Sequence, residues 1–125
     1  MQNWKWKQGA GELYLTNRPV VTPFATGYSG LAAGKNNPAM ESSPDMGPIP
    51  RGWYTVGEER NQPAPVTLVL EPDPENQMFG RNGFLIHADN IQRPGWASTG
   101  CIIIAKRSDR EAIRDSGVSR LEVVE

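Results

Sequence analysis

The chain has a single cysteine and a single histidine among its 125 residues, and it has no long hydrophobic run. One cysteine excludes an internal disulfide and any metal site built from several cysteines. One histidine argues against zinc, because zinc sites gather three or four nitrogen, sulfur or oxygen ligands. A membrane-spanning helix needs roughly 18 consecutive apolar residues, and no segment approaches this length. We therefore expect no metal, no other cofactor and no insertion into a membrane.

The charge is nearly balanced, with 13 Lys and Arg residues against 14 Asp and Glu residues. Without a basic excess, neither nucleic acid nor an anionic membrane surface is an expected partner. The N-terminal segment, MQNWKWKQGAGE, has no apolar core of the kind found in signal peptides. This predicts a cytosolic chain, or one exported by a machine that requires no cleaved signal. The length predicts a single domain over residues 1–125, and a monomer is expected.

Glycine and proline are plentiful, with 13 and 11 residues, which favours short strands and turns over a helical bundle. The segment 17–48 has little apolar periodicity and is expected to be an ordered loop over the sheet. Ser108 and Glu111 match a helix capping box, with Gly117 as the stop. The expected fold is mostly β, a sheet or sandwich with one short C-terminal helix over 108–116. The predicted strands are 4–7, 12–15, 53–56, 66–70, 84–86, 102–104 and 121–124, with 66–70 as the central one.

The stretch FLIHADNIQRPGWASTGCIII, residues 84–104, contains both the histidine and the cysteine. His87 follows one apolar run, and Cys101 precedes another, so one predicted strand ends where the imidazole lies and the next begins at the thiol. Neighbouring strands lie about 4.8 Å apart. If these two strands are neighbours, we expect imidazole and thiol to meet at one end of the sheet, as a cysteine nucleophile requires.

The residues of this stretch suit acyl-transfer chemistry. A free thiol has a pKa near about 8.5, and a histidine can take its proton or stabilise the thiolate as imidazolium. The amides of Gly100 and Cys101 are candidate donors to the oxyanion, while Ser98 would orient the loop or contact the substrate. After acylation, His87 would return a proton to the leaving amine and then activate water or an acceptor amine.

Structural roles explain the same residues. A lone cysteine before Ile102 is often a small buried hydrophobe, and a lone histidine at a strand end is often a structural hydrogen-bonding group. The residues alone leave catalysis and structure equally open. A redox thiol is disfavoured, because the chain has no second cysteine to resolve it.

Several blocks in order resemble one family. His87 followed by Ser98-Thr99-Gly100-Cys101 resembles the catalytic motif of L,D-transpeptidases of the YkuD type. The chain is most similar to a small branch of that family, the L,D-transpeptidase-like toxins delivered by type VI secretion, and the resemblance covers nearly its whole length. The matching blocks are Gly11-Glu12-Leu13, Gly27-Tyr28-Ser29-Gly30, Lys35-Asn36-Asn37-Pro38, Gly47-Pro48-Ile49-Pro50-x-Gly52, Met78-Phe79-Gly80-Arg81 and Gly83-Phe84-Leu85-Ile86-His87-x-Asp89-Asn90.

The resemblance implies a cysteine enzyme that acts on peptidoglycan stem tetrapeptides. Cys101 would attack the diaminopimelate carbonyl and expel D-Ala. Water would complete an L,D-carboxypeptidase reaction, and a free D-amino acid would complete an exchange. The resemblance also implies a secretion-apparatus partner, action in the periplasm of target bacteria and a cognate immunity protein.

The chain departs from the common motif at two positions and in one loop. Thr99 stands where the family has a second histidine, and Ile103 stands where it has a polar residue. The loop between His87 and Ser98 is shorter than in wall-crosslinking enzymes, which favours hydrolysis or exchange over crosslinking. A crosslinking L,D-transpeptidase and a catalytically inactive peptidoglycan-binding module remain as alternatives.

The anionic stem peptide implies a cationic contact, for which Arg81 is the first candidate and Lys35 and Arg93 are weaker ones. Asp89 or Asn90 could orient His87, although turn formation accounts for both. Tyr28 and Trp96 could form walls of a pocket or fill gaps between loop and sheet. The predicted substrate contacts are Arg81, Asp89, Trp96, Thr99 and Tyr28.

Overall fold

The structure, a computed structural model, describes residues 2–17 and 22–125. It is mostly β, with 31% of residues in strands and 12% in helices, which confirms the predicted fold class. In this part of the chain one α-helix, α1, lies near the C-terminus. The strands are β1 (Trp4–Lys7), β2 (Glu12–Leu15), β3 (Ala25–Thr26), β4 (Tyr28–Ser29), β5 (Gly52–Arg60), β6 (Thr67–Pro72), β7 (Leu85–His87), β8 (Ile102–Ile103) and β9 (Arg120–Val124); α1 spans Arg107–Asp115, and 3-10 helices span Ala32–Gly34 and Pro38–Met40.

The strands form one sheet in the order β3-β2-β1-β9-β5-β6-β7-β8-β4. The strands at its two edges, β3 and β4, are separated in the chain by Gly27 alone. One intervening residue spans at most about 7 Å, so the two edges lie side by side and the sheet is nearly closed. A Cβ at Gly27 would lie 1.8 Å from the Ile103 carbonyl oxygen. The closure therefore requires glycine at this position.

The inner face of the sheet forms the hydrophobic core. Successive strand residues point to opposite faces, so Ile86 and Ile102 face the core while their neighbours Leu85, His87 and Ile103 face outward. Cys101 directly precedes Ile102 and lies on the same outer face as His87. The core residues are Trp4, Trp6, Leu13, Ala25, Ile49, Tyr54, Val66, Leu68, Leu70, Phe84, Ile86, Ile102, Ile104, Ile113, Leu121 and Val123.

The helix begins earlier than predicted. Lys106 is its N-cap and makes no side-chain cap bond, so the predicted capping box at Ser108 is wrong. The reason is that the Lys106 carbonyl accepts hydrogen bonds from the amides of residues 109 and 110. Ser108 therefore lies inside the first turn. Glu111 accepts from Arg107 Nε at 3.3 Å. The predicted stop at Gly117, with φ +74°, follows directly after the helix C-cap.

The segment 17–48 contains more regular structure than predicted. Residues 18–21 of this segment lie outside the described residues, and the remainder contains β3, β4 and both 3-10 helices. Two-residue strands are too short to show a twofold alternation in the sequence. The edge strand β4 therefore escaped prediction, although it pairs with β8 beside the cysteine.

Across the described ranges, no helix has both the length and the apolar character that crossing a membrane demands.

Candidate functional site

The strands that position the histidine and the cysteine are neighbours, which meets the condition set out above, and they run parallel. Ile86 pairs with Ile102, and His87 pairs with Ile103. In a parallel pair the end of one strand does not lie beside the start of the next, so His87 and Cys101 are not directly opposite each other. They share the outer face, offset by two residues along the strands, which places their Cα atoms about 8 Å apart. The expectation that their side chains meet stays a prediction.

Cys101 lies at the wall of a cavity of about 210 Å³. Its Sγ donates to the Gly83 carbonyl at 3.8 Å. Burial raises the pKa of the thiol, while the Leu85 amide and the positive charge of Arg81 act in the opposite direction. The resting group is therefore a thiol at neutral pH. The cavity is lined by Pro44, Asp45, Phe79, Gly80, Arg81, Asn82, Gly83, Phe84, Thr99, Gly100 and Cys101.

His87 is held in one tautomer. Its Nδ1 lies 2.8 Å from the Ala88 carbonyl oxygen, and a carbonyl only accepts, so Nδ1 carries the proton of the neutral ring and Nε2 is free to act as a base. The residue is 7% exposed, and burial lowers the pKa of the imidazole below its usual value. The hydrogen bond that orients the ring is made to the Ala88 carbonyl. The side chains of Asp89 and Asn90 accept from backbone amides of their own loop instead, which agrees with turn formation, the other role given for them.

The cavity and the histidine lie on either side of Leu85 along β7. The thiol points towards Gly83, two residues before Leu85, whereas His87 is two residues after it. Within the described part of the chain, the cavity lining includes Cys101 but not His87. Rotation about the Cα–Cβ bond of Cys101 is therefore the movement that would bring Sγ towards the imidazole.

Ser98 organises the turn before the cysteine. Its buried hydroxyl donates to the Cys101 carbonyl at 2.6 Å and accepts from the amides of Gly30 at 2.9 Å and Gly100 at 3.0 Å. The Gly100 amide is thus engaged. The second predicted oxyanion donor, the amide of Cys101, makes no hydrogen bond to the Ser98 hydroxyl.

Ser29 is a site residue that the sequence analysis missed. Its fully buried hydroxyl donates to the Gly100 carbonyl at 2.8 Å and accepts from the Ile49 amide at 2.8 Å. It therefore holds the carbonyl of Gly100, while Ser98 holds its amide. No local pattern marks this serine, because its role depends on the pairing of β4 with β8.

The loop between His87 and Ser98 is tied to β4. Tyr28 donates to Asp89 Oδ1 at 2.6 Å and accepts from the Ala97 amide at 3.0 Å. Burial, followed by the bond to Asp89, raises the pKa of Tyr28 to about 12. Asp89 also accepts from the amides of Asn90 and Gly95. Tyr28 and Asp89 thus fix the conformation of this loop. Their predicted contact with the substrate stays a prediction.

The other predicted contacts differ in their accessibility. Trp96 is 52% exposed, and the Arg93 guanidinium lies 4.8 Å from its ring centroid. The Lys35 ammonium lies 4.7 Å from the Tyr28 ring. Thr99 and Arg81 line the cavity with Cys101. Of the five predicted substrate contacts, Arg81 and Thr99 are the two that line this cavity.

The part of the chain described here contains no cluster of three or more His, Cys, Asp or Glu side chains placed to hold a metal ion. No curated protein and no solved structure matches the chain. The family model of the Tlde1 domain, a type VI secretion effector, matches residues 24–124. An effector family of antibacterial toxins implies secretion, action in target cells and a cognate immunity protein. The chain belongs to the Tlde1 domain family of type VI secretion effectors.

Proposed function

We propose that the chain is an L,D-transpeptidase-related cysteine enzyme directed at peptidoglycan. It would cleave the diaminopimelate–D-Ala bond of stem tetrapeptides, or exchange the terminal D-Ala for another D-amino acid. The observation that carries the proposal is the placement of Cys101 and His87 on one face of adjacent parallel strands. The thiol borders a cavity, and the imidazole keeps Nε2 as an unprotonated base.

In the first half of the reaction, His87 Nε2 takes the thiol proton as Sγ attacks the carbonyl carbon of diaminopimelate. The carbonyl oxygen becomes an oxyanion, for which the Cys101 amide is the nearest candidate donor. The tetrahedral intermediate then breaks its C–N bond. The imidazolium returns its proton to the departing amine of D-Ala, and a thioester remains on Cys101.

In the second half, His87 Nε2 takes a proton from water as the water oxygen attacks the thioester. The C–S bond breaks, the thiolate recovers the proton and a tripeptide is released. When the amine of a free D-amino acid attacks instead, the product is a tetrapeptide with a new terminal residue. Either outcome depletes the normal tetrapeptides of a rival's cell wall.

The charges in the cavity support this choice of substrate. Asp45 contributes a carboxylate and Arg81 a guanidinium to the lining around Cys101. The free end of the diaminopimelate side chain carries both an ammonium and a carboxylate. The Asp45 carboxylate can pair with this ammonium, and the positive charge of Arg81 attracts the carboxylate without a direct hydrogen bond. The cavity therefore suits this zwitterion better than it suits an apolar side chain.

The test is digestion of purified muropeptides, read by mass spectrometry with and without an added free D-amino acid. Wild-type protein should convert tetrapeptide to tripeptide, and the added amino acid should produce a tetrapeptide of altered mass. Cys101→Ala and His87→Gln should abolish both products while the intrinsic tryptophan fluorescence of the folded protein is retained.

The remaining outcomes decide between the alternatives. Crosslinked dimers would identify a crosslinking transpeptidase. If folded wild-type protein bound muropeptides but converted none, the catalytic proposal would be abandoned in favour of a peptidoglycan-binding module.

A further inference from the structure

Arg81 joins two segments that the chain brings together only in the folded state. Its two Nη atoms make four hydrogen bonds, and these use all four of their N–H groups. All four acceptors are backbone carbonyls, three in the segment 41–48 and one in the turn before Cys101. The acceptors are Glu41 at 2.5 Å, Pro48 at 2.7 Å, Gly47 at 2.9 Å and Thr99 at 3.2 Å.

The guanidinium also packs tightly against the turn. It stacks on the Phe84 ring, with 5.3 Å from Cζ to the ring centroid. A Cβ at Gly100 would lie 2.6 Å from Arg81 Nη2 and 2.8 Å from Phe84 Cε1. The backbone directly before Cys101 therefore rests against the arginine, so the position of this turn depends on where the guanidinium is held.

We propose that Arg81 is a positioning residue, which fixes the turn before Cys101 and places a permanent positive charge beside the cavity to stabilise the thiolate. A lysine could supply the charge but not the four hydrogen bonds, because its ammonium has only three donors on a flexible side chain. With four of five guanidinium N–H groups bound to carbonyls, a bidentate grip on a substrate carboxylate is excluded in this arrangement. This differs from the substrate-binding role that the sequence analysis predicted.

The charged and titratable groups around the thiol agree with this role. Arg81 and Asp45 line the cavity with Cys101. His87 lies on β7, two residues after Leu85. Burial lowers the pKa of Arg81, while Tyr54, Asp45 and Glu41 act to raise it. A guanidinium has a pKa so far above neutral that it keeps its proton. The arginine therefore stays charged, and its field lowers the pKa of the Cys101 thiol against the effect of burial.

The inference rests on the proposed nucleophilic role of Cys101 for its meaning in catalysis, but the effect of Arg81 on the thiol is tested without any turnover. Because Cys101 is the only cysteine, the rate of alkylation by iodoacetamide at each pH reports its thiolate fraction alone. Arg81→Gln should raise the apparent thiol pKa by about one unit, since an opposite charge within a few ångströms shifts a pKa by about 1–3 units. Arg81→Lys should shift it less, yet lower kcat on muropeptides.

The matched control is Arg51→Gln, which removes a guanidinium that binds the Glu41 carboxylate at 2.8 Å and does not line the cavity. It should leave the alkylation profile unchanged. An unchanged profile in folded Arg81→Gln would overturn the inference, and so would a full kcat in Arg81→Lys. If Arg81→Gln does not fold, the Arg81→Lys comparison decides. A shifted profile without any muropeptide cleavage would sink the proposed enzymatic function and leave the arginine's effect on the thiol intact.

Discussion

His87 is held neutral by its surroundings, and this predicts the pH dependence of activity. Burial lowers the pKa of the imidazole below 6.5. A general base works only when it is unprotonated, so activity is lost as the pH falls through this lowered pKa. The acid limb of kcat/KM for D-Ala release should therefore have its midpoint below pH 6.5. A midpoint at or above that value would contradict a buried imidazole as the base.

Gly100 is the position in the turn where a methyl group should do most harm. Its φ is +144°, and an added Cβ would meet both Arg81 and Phe84 within 3 Å. Gly100→Ala should lower the free energy of unfolding by about 3 kcal/mol, measured by urea unfolding with tryptophan fluorescence. Gly117→Ala is the control, because its φ of +74° is also positive but its surroundings are open. Gly117→Ala should lower the free energy of unfolding by about 1 kcal/mol. Equal losses in the two variants would refute the role of crowding at Gly100.

Among individual residues, the sequence predicts reactive side chains better than the side chains that support them. His87 and Cys101 are recognisable because a single imidazole and a single thiol flank two apolar runs. Ser29, Asp45 and Arg81 differ, because their roles come from contacts with residues far away in the chain. A side chain's chemistry is visible in the sequence, but the atoms that occupy its donors and acceptors are not.

Among the elements, the first part of the crossover from β7 to β8, residues 88–97, is tied to β4 by the Tyr28 hydroxyl. The Tyr28 hydroxyl binds both Asp89 and the Ala97 amide. Tyr28→Phe should lower the free energy of unfolding by about 1–2 kcal/mol and speed amide hydrogen exchange selectively in residues 88–97. Tyr14→Phe is the matched control, since the Tyr14 hydroxyl donates to the Glu12 side chain two residues away and is remote from the crossover. This variant should alter neither quantity. Unchanged exchange in the crossover of Tyr28→Phe would show that other bonds hold the loop.

Elements that contain an apolar or alternating run were predicted, including the short strands β7 and β8, whereas short strands without such a run were not. The hairpin of β1 and β2 is confirmed, and β5 extends the strand predicted at 53–56 by several residues. The two-residue strands β3 and β4 carry no periodic signal, and the helix start was misplaced by a local motif. In the latter case backbone bonding by Lys106 prevailed over the side-chain capping pattern.

The whole molecule depends on the meeting of its two sheet edges at Gly27. A methyl group there would lie 1.8 Å from the Ile103 carbonyl oxygen, so the edges would have to separate. Gly27→Ala should lower the free energy of unfolding by about 3 kcal/mol and also change the alkylation rate of Cys101, since β4 supports the turn before it. Gly57→Ala, where the nearest atom is 3.6 Å from the added Cβ, should change neither. A Gly27→Ala protein with wild-type stability would show that the edges do not need this contact.

The sequence by itself determined the class of fold, most strands of the sheet and the two reactive groups, because these follow from local patterns of apolar residues and from side-chain chemistry. It also carried the family resemblance, of which the effector assignment is confirmed and the L,D-transpeptidase chemistry remains a prediction. Only the tertiary structure decided that the strands of His87 and Cys101 run parallel, that the Gly100 amide is already bound and that Arg81 is held by carbonyls. Each of these depends on pairing between residues distant in the chain, which the local pattern does not encode.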